Sequence, residues 1–181
     1  GHSPGGIRFG GAAYVFVRVG ERWTQQAKLA ANDAEKSDRF GASVGIGGDT
    51  IIIGSTLNDA RRGKDVGAAY IFVRDGNSWK QQAKLLGAKS KPGDHFGAGV
   101  ATTGKIAIVG APLHEEGGLS GGTAYSFVNV DGVWEDRKIV VPDDAGPNIV
   151  FGSTIAISGD TVVVGAGAAH EVAAGFGNGT A

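Results

Sequence analysis

Three copies of one fifteen-residue pattern constrain this chain more than anything else in it. FGASVGIGGDTIIIG at residues 40–54 returns as FGAGVATTGKIAIVG at 96–110 and as FGSTIAISGDTVVVG at 151–165. Each copy has a Phe-Gly pair, an alternating stretch, a tight Gly turn and a short β-branched or Ala/Ile run. That is the pattern of two antiparallel strands, A and B, joined by a two-residue turn, Gly-Asp twice and Gly-Lys once.

The remainder falls into the same register. GAAYVFVR (11–18), GAAYIFVR (67–74) and GTAYSFVN (122–129) read as a third strand, C. After a short turn comes a Trp-led strand D: WTQQAKL (23–29), WKQQAKL (79–85) and the drifted WEDRKIV (134–140). In the first two D strands Trp, Gln, Ala and Leu share one side, and Thr or Lys, Gln and Lys share a wet one. Tyr14, Tyr70 and Tyr125 lie 56 and 55 residues apart, as do Trp23, Trp79 and Trp134, and Phe40, Phe96 and Phe151. The odd residue falls between strand B and the next Tyr. That connection tolerates an insertion, as a surface loop does.

Four short strands in each 50-odd residues match a propeller blade better than a solenoid turn. Strand A carries Phe40, Ala42, Val44 and Ile46 on one face and Gly41, Ser43, Gly45 and Gly47 on the other. Such small residues suit the crowded innermost strand of a propeller. Strands B and C are apolar on both faces, as sheets sandwiched between neighbouring blades must be. The predicted fold is all-β: a β-propeller of four-stranded antiparallel blades, with three blade equivalents in the chain. A C/D half-blade occupies 7–30, full blades occupy 38–86 and 94–141, and an A/B half-blade with its loop occupies 149–181.

Composition narrows the function classes. Glycine supplies 33 of 181 residues, more than twice the usual share of about 7%. Tight turns and close strand packing both demand it, and the absence of a three-residue period excludes collagen. Net charge is −1 with both signs interspersed, so no basic stripe for nucleic acid is expected. There is no Cys or Met, which excludes disulfides, thiolate metal sites and cysteine nucleophiles. The longest apolar run, 162–169, is too short to span a bilayer, so no membrane insertion is expected.

The Phe-Gly of strand A, with Gly110-Ala111-Pro112 after strand B, resembles the FG-GAP repeat of integrin α-chain β-propellers. The GAAYVF and WTQQAKL halves resemble the bacterial branch of that repeat, common in large surface and secreted proteins. The corresponding Gly-Ala-Pro positions read Gly54-Ser55-Thr56 and Gly165-Ala166-Gly167. The resemblance implies a non-enzymatic module for extracellular recognition or adhesion, secreted or at the cell surface. Integrin-type repeats often carry an Asp-rich calcium loop between strands A and B. Here those links are Gly47-Gly48-Asp49, Thr103-Gly104-Lys105 and Ser158-Gly159-Asp160. One carboxylate falls short of the six to eight oxygens calcium prefers, so no metal or other cofactor is expected.

An up-down meander gathers the tight A–B and C–D turns at one end and the long B–C and D–A connections at the other. Binding residues are drawn preferentially from loops on a rigid scaffold. The candidate ligand-binding residues are therefore Asp38, Asp59, Arg61, Arg62, Asp94, His95, His114 and Glu115. Asp38 and Asp94 both stand two residues before Phe, where a carboxylate also serves to cap a turn. His114-Glu115-Glu116 reads either as an acid/base or metal-binding pair or as a solvated loop. No H-E-x-x-H or G-x-S-x-G pattern is present. The expected role is binding of a protein or glycan ligand without catalysis. The alternatives are a carbohydrate-binding lectin or polysaccharide-active domain, and an engineered or fragment propeller with no ligand.

Three blade equivalents do not close a ring, because propellers have about four to eight blades, and open half-blades expose unpaired strand edges. Two arrangements satisfy this: a homodimer forming a six-bladed ring, or further blades supplied by a longer chain.

Overall fold

The computed structural model describes residues 10–59, 63–116, 119–142 and 149–168. Its regular structure is entirely β. Strands β1 (Ala13–Val19) and β2 (Arg22–Leu29) form a hairpin, the C and D strands of a first, half blade. Strands β3 (Phe40–Gly47), β4 (Thr50–Ser55), β5 (Ala68–Asp75) and β6 (Ser78–Leu85) follow as a four-stranded antiparallel meander in that order. Next come β7 (Val100–Thr102) and β8 (Ile106–Ala111), then a two-residue ladder of β9 (Glu115–Glu116) with β10 (Leu119–Ser120). Strands β11 (Thr123–Val130) and β12 (Val133–Val140) complete the second full blade. Finally β13 (Ile149–Ser158) and β14 (Thr161–Ala168) pair as the A and B strands of the last half-blade. The chain is thus two complete blades flanked by two half-blades, as its repeats predict, and among the described residues the sheets do not close into a ring.

Alternation decides the cores. Ile51 and Ile53 of β4 pack with Tyr70 and Phe72 of β5 toward the first half-blade, against Val15 and Leu29. Ile52 and Ile71, one residue out of phase, face the other way and join Phe96, Val100 and Tyr125 of the second blade. In this complete blade both faces of the B and C strands are therefore buried. A third cluster joins Ile108 and Ala124 to Phe151, with Ile155 and Ile157 against it.

The glycines of the repeat motif meet between blades. A β-carbon added to Gly54 would lie 1.9 Å from the carbonyl oxygen of Gly97, and one added to Gly110 would lie 1.9 Å from that of Gly152. The Phe-Gly glycines Gly97 and Gly152 thus rest on the strand B glycines, Gly54 and Gly110, of the blade before. The small face of strand A behaves likewise, since a β-carbon on Gly47 would come 2.4 Å from the Thr102 carbonyl oxygen.

Two details depart from plain alternation. Strand D carries a bulge, with Ile71 opposite Ala83 but Phe72 opposite Gln81, so that Gln82 is the extra residue. Gln26 and Arg137 occupy the same extra position in the other two hairpins. A bulge re-aims its side chain. Gln26 Oε1 accepts from Trp79 Nε1 at 3.0 Å, and Gln82 Oε1 from Trp134 Nε1 at 2.9 Å, so each Trp fastens its blade to the preceding one. The second departure is β7, which has three residues where β3 has eight. The preceding glycines bulge away from the ladder, yet Gly97 N–H still donates to Gly110 and Gly110 N–H to Gly99.

Candidate functional site

At the loop end, the D–A and B–C connections are tied together by the same device in both complete blades. Asp38, just before β3, is buried, and its Oδ2 accepts from the Glu35 N–H at 2.8 Å and from Asn58 Nδ2 at 2.9 Å. One blade on, Asp94 Oδ2 accepts from the Lys91 N–H at 2.7 Å and from Nδ1 of His114 at 2.6 Å. An ionised carboxylate only accepts, so the imidazole proton sits on Nδ1. The backbone repeats the pattern. Leu57 and Leu113 donate to the carbonyls of Asp38 and Asp94, and Gly67 and Gly122 donate to those of Asn58 and His114. A short carboxylate folding back onto a turn amide competes well with solvent. Here it also reaches the neighbouring loop.

This placement changes the reading of three candidates. The His114 and Asp94 side chains are only 3% and 5% exposed, and Asp38 is equally enclosed. His114 is neither a solvated loop residue nor an acid/base group open to a substrate. It stands where Asn58 stands one blade earlier and does the same work. All three side chains hold the loops together.

The other candidates lie outside this latch. Asp59 is exposed, with Oδ1 accepting the Asp65 N–H at 2.9 Å and closing its own loop. Glu115 is exposed on β9, and its carbonyl takes the Lys91 ammonium at 3.2 Å. His95 is half-buried in the left-handed region, with φ 56°. Arg39 holds the equivalent position with φ 56°, and such a backbone is uncommon outside glycine. Arg61 and Arg62 fall outside the described residues. The structure thus brings together Asp94 and His114, and separately Asp38 and Asn58. Asp59 and Glu115 stand on the B–C connections of successive blades.

Sequence reasoning overlooked Asn58 as a partner. The signal was available: 20 residues separate Asp38 from Asn58 and Asp94 from His114 alike. Asp33 was not among the candidates, yet its Oδ2 lies 2.7 Å from Lys84 Nζ and ties the first D–A loop to β6. Partial burial works against the Asp33 carboxylate, but the Lys84 hydrogen bond, the Tyr70 hydroxyl and the Lys84 charge together outweigh it and hold the pKa below the usual range. The support from this pair is present above the ordinary carboxylate pKa and fades as acid titrates Asp33. Burial first, then the Asp33 charge, pushes the Tyr70 phenol well above its ordinary pKa.

At the opposite end Asp49, the lone carboxylate of the first A–B turn, lies 2.7 Å from Arg74 Nε. Arg74 in turn stacks on Trp79, its guanidinium carbon 4.3 Å from the ring centre. Among the described residues, no three His, Asp or Glu side chains gather as a metal-binding group. No helix there is long and apolar enough to cross a membrane.

The FG-GAP repeat family model matches residues 23–72, 79–127 and 134–181. Each match opens at a Trp of strand D and runs through strands A and B, and the first two end within the next strand C. A comparison with curated proteins finds no match. The matched segments span most of the chain, and their signature glycines are the ones that touch between blades: the protein belongs to the FG-GAP repeat family.

Proposed function

We propose that this protein is a non-enzymatic recognition module that takes a protein or glycan ligand at its loop end. A secreted or cell-surface location accords with this reading, since FG-GAP repeats are often extracellular. One observation carries it. The imidazole and two of the carboxylates that chemistry would need are enclosed and committed to holding the loops. What the loop end leaves exposed is a mixed set, including Lys36, Asp59, Lys64 and Glu115, carried by three connections. That suits a broad contact surface, because fixed loops of both signs favour orientation and specificity over bond-making. The A–B turns belong to the opposite end and act as metal-free structural turns, with Asp49 paired to Arg74.

Arrays of matrix proteins and of glycans, read with the whole chain, test the proposal. Binding to at least one class is expected, reduced at least tenfold by Asp59→Ala with Glu115→Ala while the melting temperature stays within about 2 °C, as for surface changes. Turnover of a polysaccharide by the unaltered chain would overturn the reading. So would binding that is indifferent to every loop substitution.

A further inference from the structure

Strands β2 and β6, the D strands of successive blades, flank a cleft of about 460 Å³. Leu29, Phe72 and Trp79 give it an apolar lining, and each is more than nine-tenths buried. Its polar lining is Lys28 of β2, Asn32 of the following D–A connection, and Lys80 and Gln81 of β6. Asp59 and Glu115 take no part in it.

The polar lining is rich in donors and holds no carboxylate. Lys28 is exposed, and among the described residues no acid pairs with it. Lys80 pairs with Asp75, but the two side chains are 71% and 55% exposed, and an ion pair so open to water is readily exchanged for another. Gln81 Oε1 already accepts the Asn32 N–H at 2.9 Å, which leaves the two N–H donors of that side chain for a ligand. Asp33, next to Asn32, is held by Lys84 at 2.7 Å. A complementary ligand brings negative charge and acceptors.

The next pair of blades supplies a comparison within the same molecule. Leu29, Phe72 and Trp79 return there as Leu85, Phe127 and Trp134. The polar positions read Lys84, Ala88, Glu135 and Asp136 instead. Lys84 is occupied by Asp33, a methyl group replaces the Asn32 amide, and acids replace both β6 donors. The frame is repeated and its chemistry is reversed, so the donor set between β2 and β6 is not a by-product of the blade pattern.

We infer that the β2–β6 cleft binds an acidic sugar of a polysaccharide, its carboxylate or sulfate held by Lys28 and Lys80. Charge-assisted contacts to such an anion are stronger than neutral ones. Gln81 donates to ring hydroxyls, Asn32 donates or accepts, and the apolar lining serves the carbon face of the ring. The volume falls in the range of about 300–1,000 Å³ found for small-ligand pockets, whereas docking a folded protein takes about 800 Å² of surface. Because Asp59 and Glu115 are not used, the site stands or falls apart from the loop surface.

Calorimetric titration of the whole chain with tetragalacturonate, a heparin tetrasaccharide, maltotetraose and tetraglutamate supplies the test. At least one of the two acidic sugars is expected to bind roughly tenfold tighter than maltotetraose or tetraglutamate, and to weaken with added salt as charge contacts do. Which of them binds distinguishes a carboxylate from a sulfate. Lys80→Glu with Gln81→Asp, which copies the neighbouring groove, is expected to weaken that binding roughly tenfold, with the melting temperature within about 2 °C of the parent. Lys28→Ala, which leaves β6 untouched, is expected to weaken it as well. Binding of neither acidic sugar, binding of tetraglutamate as tight as theirs, or binding unchanged in both variants would each overturn the inference.

Discussion

Placing valine at Gly110 is expected to lower the melting temperature by roughly 10 °C. The added β-carbon would sit 1.9 Å from the Gly152 carbonyl oxygen and 2.6 Å from its carbon. Both contacts are to backbone, so no side chain can rotate aside, and the two blades must separate instead. Overpacking costs typically 1–3 kcal/mol, and backbone against backbone belongs at the top of that range. For a chain of this size each kcal/mol moves the melting temperature by about 2–4 °C. Gly54→Val should behave alike, because Gly97 meets it at the same distance. The control is Gly20→Asn, in an open turn where a β-carbon meets nothing within 4 Å. Its φ of 62° is one asparagine tolerates, so a change under about 0.5 kcal/mol is expected. Thermal unfolding of the three variants side by side measures this. Equal stability of Gly110→Val and the parent would mean the blades do not touch through these glycines.

Asp94→Ala is expected to cost about 3 kcal/mol. The substitution strips the acceptor from the Lys91 N–H and the His114 Nδ1–H together. A buried donor left without a partner costs about 1–3 kcal/mol, and here there are two. His114→Asn, by contrast, is expected to cost less than about 1 kcal/mol. Asparagine already performs this role at Asn58, one blade earlier. His114→Leu keeps the bulk and loses the donor, so it should fall between the two. Urea unfolding of the series gives the order directly. Asp94→Ala within 0.5 kcal/mol of the parent would show that the buried pair does not hold the loops.

The blade order was legible because three separate rows, led by Tyr14, Trp23 and Phe40, repeat at the same intervals. Local pattern sufficed there: alternation, turn glycines and β-branched runs each agree with the tertiary arrangement. The loop end was less legible. Asp38 and Asp94 are polar and lie in loops, which reads as solvent-facing, yet each is enclosed because a second loop crosses over it with a donor 20 residues away. Pairing between loops leaves only a spacing signal, and in one blade the partner is Asn58, in the other His114. The position of Gln26 was hidden for a different reason. Alternation places it beside Thr24 and Lys28 on the wet face, and only the bulge turns it toward Trp79. Val44 and Ile46 show the limit from the other side. Their pattern marks them for burial, but burial needs a neighbouring strand pair that the described residues do not place there.

The packing of one blade on the next is tested most directly by hydrogen–deuterium exchange of the unaltered chain, read on β4 and β5. Both strands are paired on either side and covered on both faces, so the account predicts exchange there far slower than in the loop at 30–39. Exchange in β4 and β5 as fast as in that loop would contradict it.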